Sequence, residues 1–197
     1  MQKPLVFATN NPHKLSEIRA ILGPSLPVVS LSDIGCTEDL PETSGTLEGN
    51  ALQKARRVYE LYGCDCFADD TGLEVAALGG EPGVMSARYA QANGLGQTHD
   101  SAANSSLLLK RMEGKTDRSA QFRTAIALIR GGRETVVEGI VRGHITEAPA
   151  GTDGFGYDPI FVPEGSELTF AQMSADEKNA ISHRCRAAQA LLKVLSE

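Results

Sequence analysis

Two adjacent carboxylates, Asp69 and Asp70, follow a short apolar run (Cys66, Phe67, Ala68) and precede Thr71-Gly72. The run reads as a strand that delivers the pair into a glycine-terminated turn. Side by side in a sheltered place, two carboxylates repel, and each disfavours ionisation of the other. A divalent cation offsets that repulsion. Hard oxygen donors suit Mg²⁺, which takes one or two carboxylates and leaves room for phosphate oxygens and water. Glu42, in an acidic loop upstream, is a candidate partner in holding such an ion. A carboxylate that stays off the metal can orient or deprotonate a water. Acid pairs are also common in solvated loops, so the pair alone does not decide.

Three further polar motifs point the same way. Thr9-Asn10-Asn11-Pro12-His13-Lys14 joins a strand to a helix. Backbone N–H groups at a helix start attract phosphate, and Lys14 adds a point charge. Asn10 and Asn11 tolerate the left-handed conformation that glycine would otherwise supply. The P-loop pattern G-x-x-x-x-G-K-[ST] is absent, and an ordinary strand–helix connection is the plainer alternative. In Gly154-Phe155-Gly156-Tyr157-Asp158-Pro159, small residues alternate with aromatic ones. Backbone can approach a ligand there while Phe155 or Tyr157 offers a stacking face; a glycine-rich hinge with core aromatics is the alternative. Ser182-His183-Arg184 opens a helix, with Lys178 one turn earlier, and supplies donors for a base carbonyl or a phosphate. A Ser–His–Asp triad does not fit, because neighbouring side chains do not meet in triad geometry and no G-x-S-x-G elbow is present. The motifs together describe a site for a phosphorylated, ring-bearing substrate.

The elements that must position these groups read as α/β. Leu5 to Ala8 is a buried-strand signal, and Pro12 suits the first position of a helix carrying Leu15, Ile18, Ile21 and Leu22. Gly23-Pro24 stops that helix, and 27–31 reads as a second strand. Residues 36–45 are acidic and turn-rich, a loop. Leu47, Ala51, Ala55, Val58, Tyr59 and Tyr62 share one helical face that ends at Gly63. A strand over 65–68, the acidic turn, a further strand over 73–78, a mostly irregular stretch over 79–98 and a helix over 99–112 follow. Residues around 121–128 and 134–145 alternate on either side of Gly131-Gly132, which predicts a hairpin with a two-residue turn. Gly139 and Gly143 mark a bulge or a close backbone approach. Pro159 to Val162 reads as a short strand, Ser174-Ala175-Asp176-Glu177 as a capping box, and 183–196 as a final helix. Helices mixed with strands and an antiparallel hairpin predict a mixed sheet.

The chain has 197 residues, enough for one large domain or two small lobes. Its net charge of −6 argues against a general nucleic-acid binder. It allows an anionic small substrate, provided Lys, Arg or metal neutralises it locally. Cys36, Cys64, Cys66 and Cys185 are irregularly spaced, which disfavours a zinc site and reads as reduced thiols in a cytoplasmic protein. Met1-Gln2-Lys3-Pro4 leads straight into a strand-like stretch without the apolar region of a signal peptide, and no apolar run reaches membrane-spanning length.

In this order the motifs resemble the inosine triphosphate pyrophosphatase family, which includes bacterial dITP/XTP pyrophosphatases. Thr9 to Lys14 matches [ST]-[GN]-N-x-x-K. Glu42, then Gly49-Asn50-Ala51 and Lys54-Ala55, stand where the family has an acidic loop followed by E-N-A-x-x-K-A, with Gly49 in place of its glutamate. Residues 68–72 match A-D-D-[ST]-G, 78–88 match L-G-G-x-P-G-x-x-S-A-R, 154–161 match G-F-G-Y-D-P-x-F, and 182–184 match S-H-R. Pro41 stands where many members have a second glutamate, so only Glu42 can fill the metal role, and Thr71 keeps the hydroxyl of the commoner serine. The resemblance implies a two-lobed fold of the Maf/Ham-like kind around a long mixed sheet with flanking helices, formed by residues 1–197 as one domain with the site in the cleft. It implies Mg²⁺-dependent hydrolysis of ITP, dITP and XTP to monophosphate and pyrophosphate by a homodimer. It further implies that Glu42 and Asp70 hold Mg²⁺, with Asp70 also the proton acceptor, and that Thr9, Asn10, Asn11, Pro12, His13 and Lys14 hold phosphates. Thr71 would touch substrate, and Phe155, Gly156, Tyr157, Asp158, Lys178, His183 and Arg184 would line the nucleoside pocket. Lys54, Asp69 and Arg88 are further candidate members. The competing readings are a related-fold pyrophosphatase acting on modified pyrimidine or other noncanonical nucleotides, a nucleotide sensor without turnover, and a plain cytosolic α/β scaffold.

Overall fold

The computed structural model describes residues 4–24 and 26–196. Met1, Gln2 and Lys3, on which part of the leader reading rests, lie outside the described residues. In chain order the elements are β1 (Leu5–Phe7), α1 (Pro12–Leu22), β2 (Val28–Val29), α2 (Leu47–Tyr62), β3 (Cys66–Val75), α3 (Tyr89–Ala92), α4 (Ser101–Arg111), β4 (Ser119–Arg130), β5 (Arg133–Ile145), β6 (Phe161–Pro163), α5 (Ala175–Ile181) and α6 (His183–Ser196). The strands form one sheet in the order β2-β1-β3-β4-β5-β6. β1 runs parallel to β2 and β3, whereas β5 and β6 are antiparallel, so the sheet is mixed as expected. Among the described residues no helix is long and apolar enough to cross a membrane.

The chain divides into two compact units. The first comprises Met1–Asp70, Thr124–Gly139 and His183–Glu197, and the second Thr71–Arg123 and Ile140–Ser182. In the first unit the period-two alternation of the strands separates two cores. Leu5, Phe7 and Phe67 pack with Ile18 and Leu22 of α1 and Ala187 and Leu191 of α6. Phe7 and Phe67 stack with centroids 4.6 Å apart. Val6, Ala8, Cys66 and Ala68 face the opposite way, against Ala51, Ala55 and Val58 of α2. The second unit has its own core, in which Leu73, Val75, Tyr89, Leu108, Phe122, Tyr157, Phe161 and Phe170 pack together.

Local chemistry explains where the helices start and stop. The Asn11 side chain accepts the N–H groups of His13 and Lys14, Pro12 takes the first helical position, and Gly23 closes α1 at φ 63°. Thr46 caps α2, and Gly63 ends it in the left-handed region. The hairpin turns at Gly131 and Gly132 with φ 56° and 79°. Gly139 is a close approach: a Cβ there would lie 2.1 Å from the His183 carbonyl oxygen, in the first turn of α6. Gly143 is another, 2.1 Å from the Val162 carbonyl oxygen.

Four expectations need correction. The acidic pair does not sit in a turn. β3 runs unbroken from Cys66 to Val75, so Asp69, Asp70, Thr71 and Gly72 all lie inside one strand, and only Ala76–Leu78 turns, as a 3-10 segment closed by Gly79. The burial of eight of its ten residues holds the backbone extended where glycine had suggested a turn. The second strand shrinks to Val28–Val29, because the Ser30 N–H donates to the Asp33 carboxylate and the Asp33 N–H donates to the Ser30 hydroxyl. This local exchange competes with strand pairing. The stretch 79–98 is not mostly irregular: Gly83–Arg88 is 3-10 and α3 follows, its Ala90 N–H donating to the buried Asn104 side chain. The strand expected over 159–162 starts later, after a 3-10 turn at Asp158–Ile160.

Candidate active site

Because neighbouring strand residues point to opposite faces, Asp69 and Asp70 part company. Asp69 shares the face of Phe67, towards α1 and α6. Its Oδ1 accepts from the Lys14 ammonium at 2.9 Å, and its Oδ2 from Nε of Arg184 at 3.3 Å. The Arg184 guanidinium also donates to Glu17, one turn beyond Lys14 on α1. Asp69 and the Arg184 side chain are both fully buried. Asp70 shares the face of Ala68, towards α2. Its Oδ2 accepts from the Asn50 amide at 2.9 Å, and its Oδ1 lies 3.9 Å from the Lys54 ammonium. That ammonium also donates to Oε1 of Glu42 at 2.5 Å. The expected repulsion is thus relieved by geometry: each carboxylate has its own cation.

The two acids are pushed in opposite directions. Burial works against charge on Asp69, but Lys14, Arg184 and Lys54 outweigh it and hold the carboxyl well below the usual range. Burial pushes Asp70 up, against the pull of Lys54, Lys14 and the Asn50 amide. Burial likewise lowers Lys14, an effect Asp69 opposes without cancelling. It lowers Lys54 too, but there Asp70, Glu42 and Asp69 win and the net shift is upward. Asp69 is therefore a fixed anion that anchors cations, whereas Asp70 is the acid better suited to accept a proton.

Glu42 and Asp70 also fit a hard cation. Two carboxylates already converge on one positive charge. Mg²⁺ favours that sparse donor set, since it keeps several waters and takes substrate oxygens.

The remaining residues of the first unit frame these groups. Thr9 accepts the Asn11 N–H at its hydroxyl, and Asn11 caps α1, so both shape the loop that presents Lys14. Asn10, Pro12 and His13 are exposed around it. His183 is buried beside Arg184 in the first turn of α6.

In the second unit, Asp158 is the organising group. Its Oδ2 accepts the Phe155 N–H at 2.8 Å and the Lys178 ammonium at 2.7 Å. The ammonium also lies 4.8 Å from the Phe155 ring centroid. Gly154 leaves room for this: a Cβ there would lie 2.2 Å from Oδ2 of Asp158. Gly156 donates its N–H to the Ser101 hydroxyl. Tyr157 is buried, and its hydroxyl donates to the Ser86 carbonyl at 2.8 Å, which makes it an anchor, while Phe155 is half-buried. Thr71 follows Asp70 in β3, and Arg88 ends the 3-10 segment Gly83–Arg88.

The structure thus gathers Lys14, Asp69 and Arg184 in one cluster, Glu42, Lys54 and Asp70 in a second, and Phe155, Asp158 and Lys178 in a third. Arg184, expected with Lys178, is engaged with Asp69 and Glu17. Sequence reading passed over Glu17, Asn50 and Ser86. Glu17 carried a signal, since it lies three residues after Lys14 on the same helical face. Asn50 and Ser86 stood in quoted motifs without a role; the Ser86 carbonyl accepts from Tyr157 and its hydroxyl from the Leu73 N–H, contacts between distant residues that no local pattern reveals.

Comparison with known proteins shows the family of the chain. The family model described as Ham1 family matches residues 5–194. A dITP/XTP pyrophosphatase of Flavobacterium johnsoniae is 51% identical over 192 residues, 98% of this chain and 97% of that protein. The Ham1 protein of Staphylococcus aureus superposes with a TM-score of 0.87 at 38% identity, with 98% of each chain covered. A nucleoside-triphosphatase, dITP/XTP pyrophosphatase, of Mycobacterium abscessus superposes with a TM-score of 0.76 at 45% identity, covering 96% of this chain and 99% of that one.

Proposed function

The chain belongs to the Ham1 family, and we infer that it hydrolyses the nonstandard purine nucleoside triphosphates ITP, dITP and XTP to monophosphate and pyrophosphate, cleansing the nucleotide pool. The names of its relatives support the reaction. The observation that carries it in this chain is the face of β3 towards α2, where Asn50 fixes Asp70 beside Glu42 and Lys54.

In this reading Glu42 and Asp70 hold Mg²⁺, which when bound draws charge from the phosphate oxygens as a Lewis acid. Lys14, with the loop from Thr9 to His13 and the Thr71 hydroxyl, binds the phosphates. Asp70 orients a water and takes its proton as the water oxygen attacks the α-phosphorus; the bond to the bridging oxygen breaks and pyrophosphate departs. Phe155 stacks on the base, Gly156 and Tyr157 shape its loop, and Lys178, positioned by Asp158, donates to a six-oxo group. His183 and Arg184 contribute further donors, Asp69 holds Lys14 and Arg184 in place, and Arg88 completes the set. Adenine offers an amino group at that position and leaves a donor unpaired, at a cost of about 1–3 kcal/mol. Guanine shares the six-oxo group, so its rejection acts on the two-amino group. A homodimer in the cytoplasm completes the reading, with no nucleic acid or membrane as partner. The net charge of −6 supports the first exclusion, and sedimentation velocity tests the dimer.

The deciding experiment follows pyrophosphate and orthophosphate separately on ITP, XTP, dITP, ATP, GTP and dUTP with Mg²⁺. Fast pyrophosphate release confined to the inosine and xanthosine nucleotides is expected. Turnover of dUTP instead favours the pyrimidine alternative. No turnover in Mg²⁺ or Mn²⁺ overturns the reading in favour of a sensor.

A further inference from the structure

Glu42 sits in a segment, 36–44, that carries neither helix nor strand. One face of α2 holds it. Oε1 of Gln53 accepts the N–H groups of Thr43 at 3.0 Å and Ser44 at 3.2 Å, and Nε2 of the same amide donates to the Thr43 hydroxyl at 2.9 Å. Three residues earlier on that face, Oδ1 of Asn50 accepts the Ser44 N–H at 2.9 Å while its Nδ2 holds Asp70. Lys54, the next residue after Gln53, reaches Glu42 itself. Spacings of three and four residues put Asn50, Gln53 and Lys54 on neighbouring tracks of one helix surface.

We propose that Gln53 is a positioning residue for the divalent metal: its three hydrogen bonds clip the Glu42 loop to α2, so that the Glu42 carboxylate is already placed opposite Asp70 when the ion arrives. The inference rests on the metal-dependent reading above. Gln53 bonds to the two residues that directly follow Glu42. A carboxylate on an unclipped loop must be ordered at the moment of binding, and that ordering weakens the affinity it delivers. The clip removes the cost in advance. It acts on metal affinity and not on the proton transfer, because the amide that holds Asp70 is that of Asn50 and not that of Gln53.

The test is Gln53→Met, which keeps length and helix propensity and removes the amide. Losing these bonds should raise the half-saturating Mg²⁺ concentration for ITP hydrolysis about threefold to tenfold. Turnover at saturating Mg²⁺ and the thermal midpoint should match the parent protein. Hydrogen exchange of the peptide containing Thr43 and Ser44 should accelerate, and Mn²⁺ binding by calorimetry, without nucleotide, should weaken by the same factor. An unchanged Mg²⁺ dependence, or lower turnover at saturating Mg²⁺ with unchanged half-saturation, overturns the proposal. If the parent protein turns over none of the nucleotides, the functional reading fails, and the calorimetric comparison then decides this inference by itself: weaker Mn²⁺ binding in the variant sustains it, equal affinity overturns it.

Discussion

Asp69 and Asp70 carry the same functional group and do different work, because one strand step turns them to opposite faces. Their variants should separate accordingly. Asp70→Asn keeps the shape and removes the proton acceptor, so kcat should fall by about 10²–10⁴ with nucleotide binding and thermal midpoint largely kept. Asp69→Asn takes the Asp69 charge from the buried Lys14 ammonium and leaves Arg184 with Glu17, a change that costs about 3–5 kcal/mol and should appear as a lower urea midpoint. Equal midpoints for the two variants would contradict the assignment. The Cys66 thiol marks a third case. Burial first, then Cys64 and Asp65, pushes it from 9.0 up to about 12. Below its unfolded value the thiol is neutral in both states and costs nothing. Above that value the unfolded chain releases the proton and the folded chain does not, so stability declines as pH rises towards 12. Cys66→Ala should lose less stability than the parent between about pH 8 and about pH 10.5 in urea titrations. In the folded protein the thiol should also resist alkylation near pH 8.

At the scale of elements, the loop from Gly154 to Asp158 shows how backbone sets chemistry. Gly154 has φ 75°, and the space a Cβ would fill holds the Asp158 carboxylate. Gly154→Ala therefore strains the turn and displaces the acceptor that positions Lys178. KM for ITP should rise at least about tenfold while the unfolding free energy in urea titrations falls by roughly 1–3 kcal/mol. An unchanged KM would remove this loop from the nucleoside site. The capping signals at Pro12, Gly63 and Ser174 and the Gly131-Gly132 hairpin were legible because each acts within a few residues. The reading of Thr71-Gly72 as a turn failed because glycine only permits a turn. Burial within β3 decided for the strand.

For the whole molecule, charge sets the terms of catalysis. On the proposed function, a chain of net charge −6 must accept a nucleoside triphosphate of about four negative charges. Lys14 lies against Asp69 and Lys54 against Glu42, so much of the local positive charge is already balanced. Removing divalent metal with EDTA should abolish pyrophosphate release, and Mg²⁺ should restore it; full activity in EDTA would rule out the metal role of Glu42 and Asp70. The sequence by itself determined the family and the mixed α/β architecture, because motif, cap and turn chemistry are local and survive without knowledge of the fold. Only the tertiary structure decided which carboxylate meets which cation, that Arg184 joins Asp69 and Glu17, and that Asn50 and Gln53 hold the acidic loop. Those choices depend on which face of a strand or helix each side chain takes, and contacts between residues as far apart as Asp69 and Arg184 are fixed by the packing of elements and not by spacing along the chain.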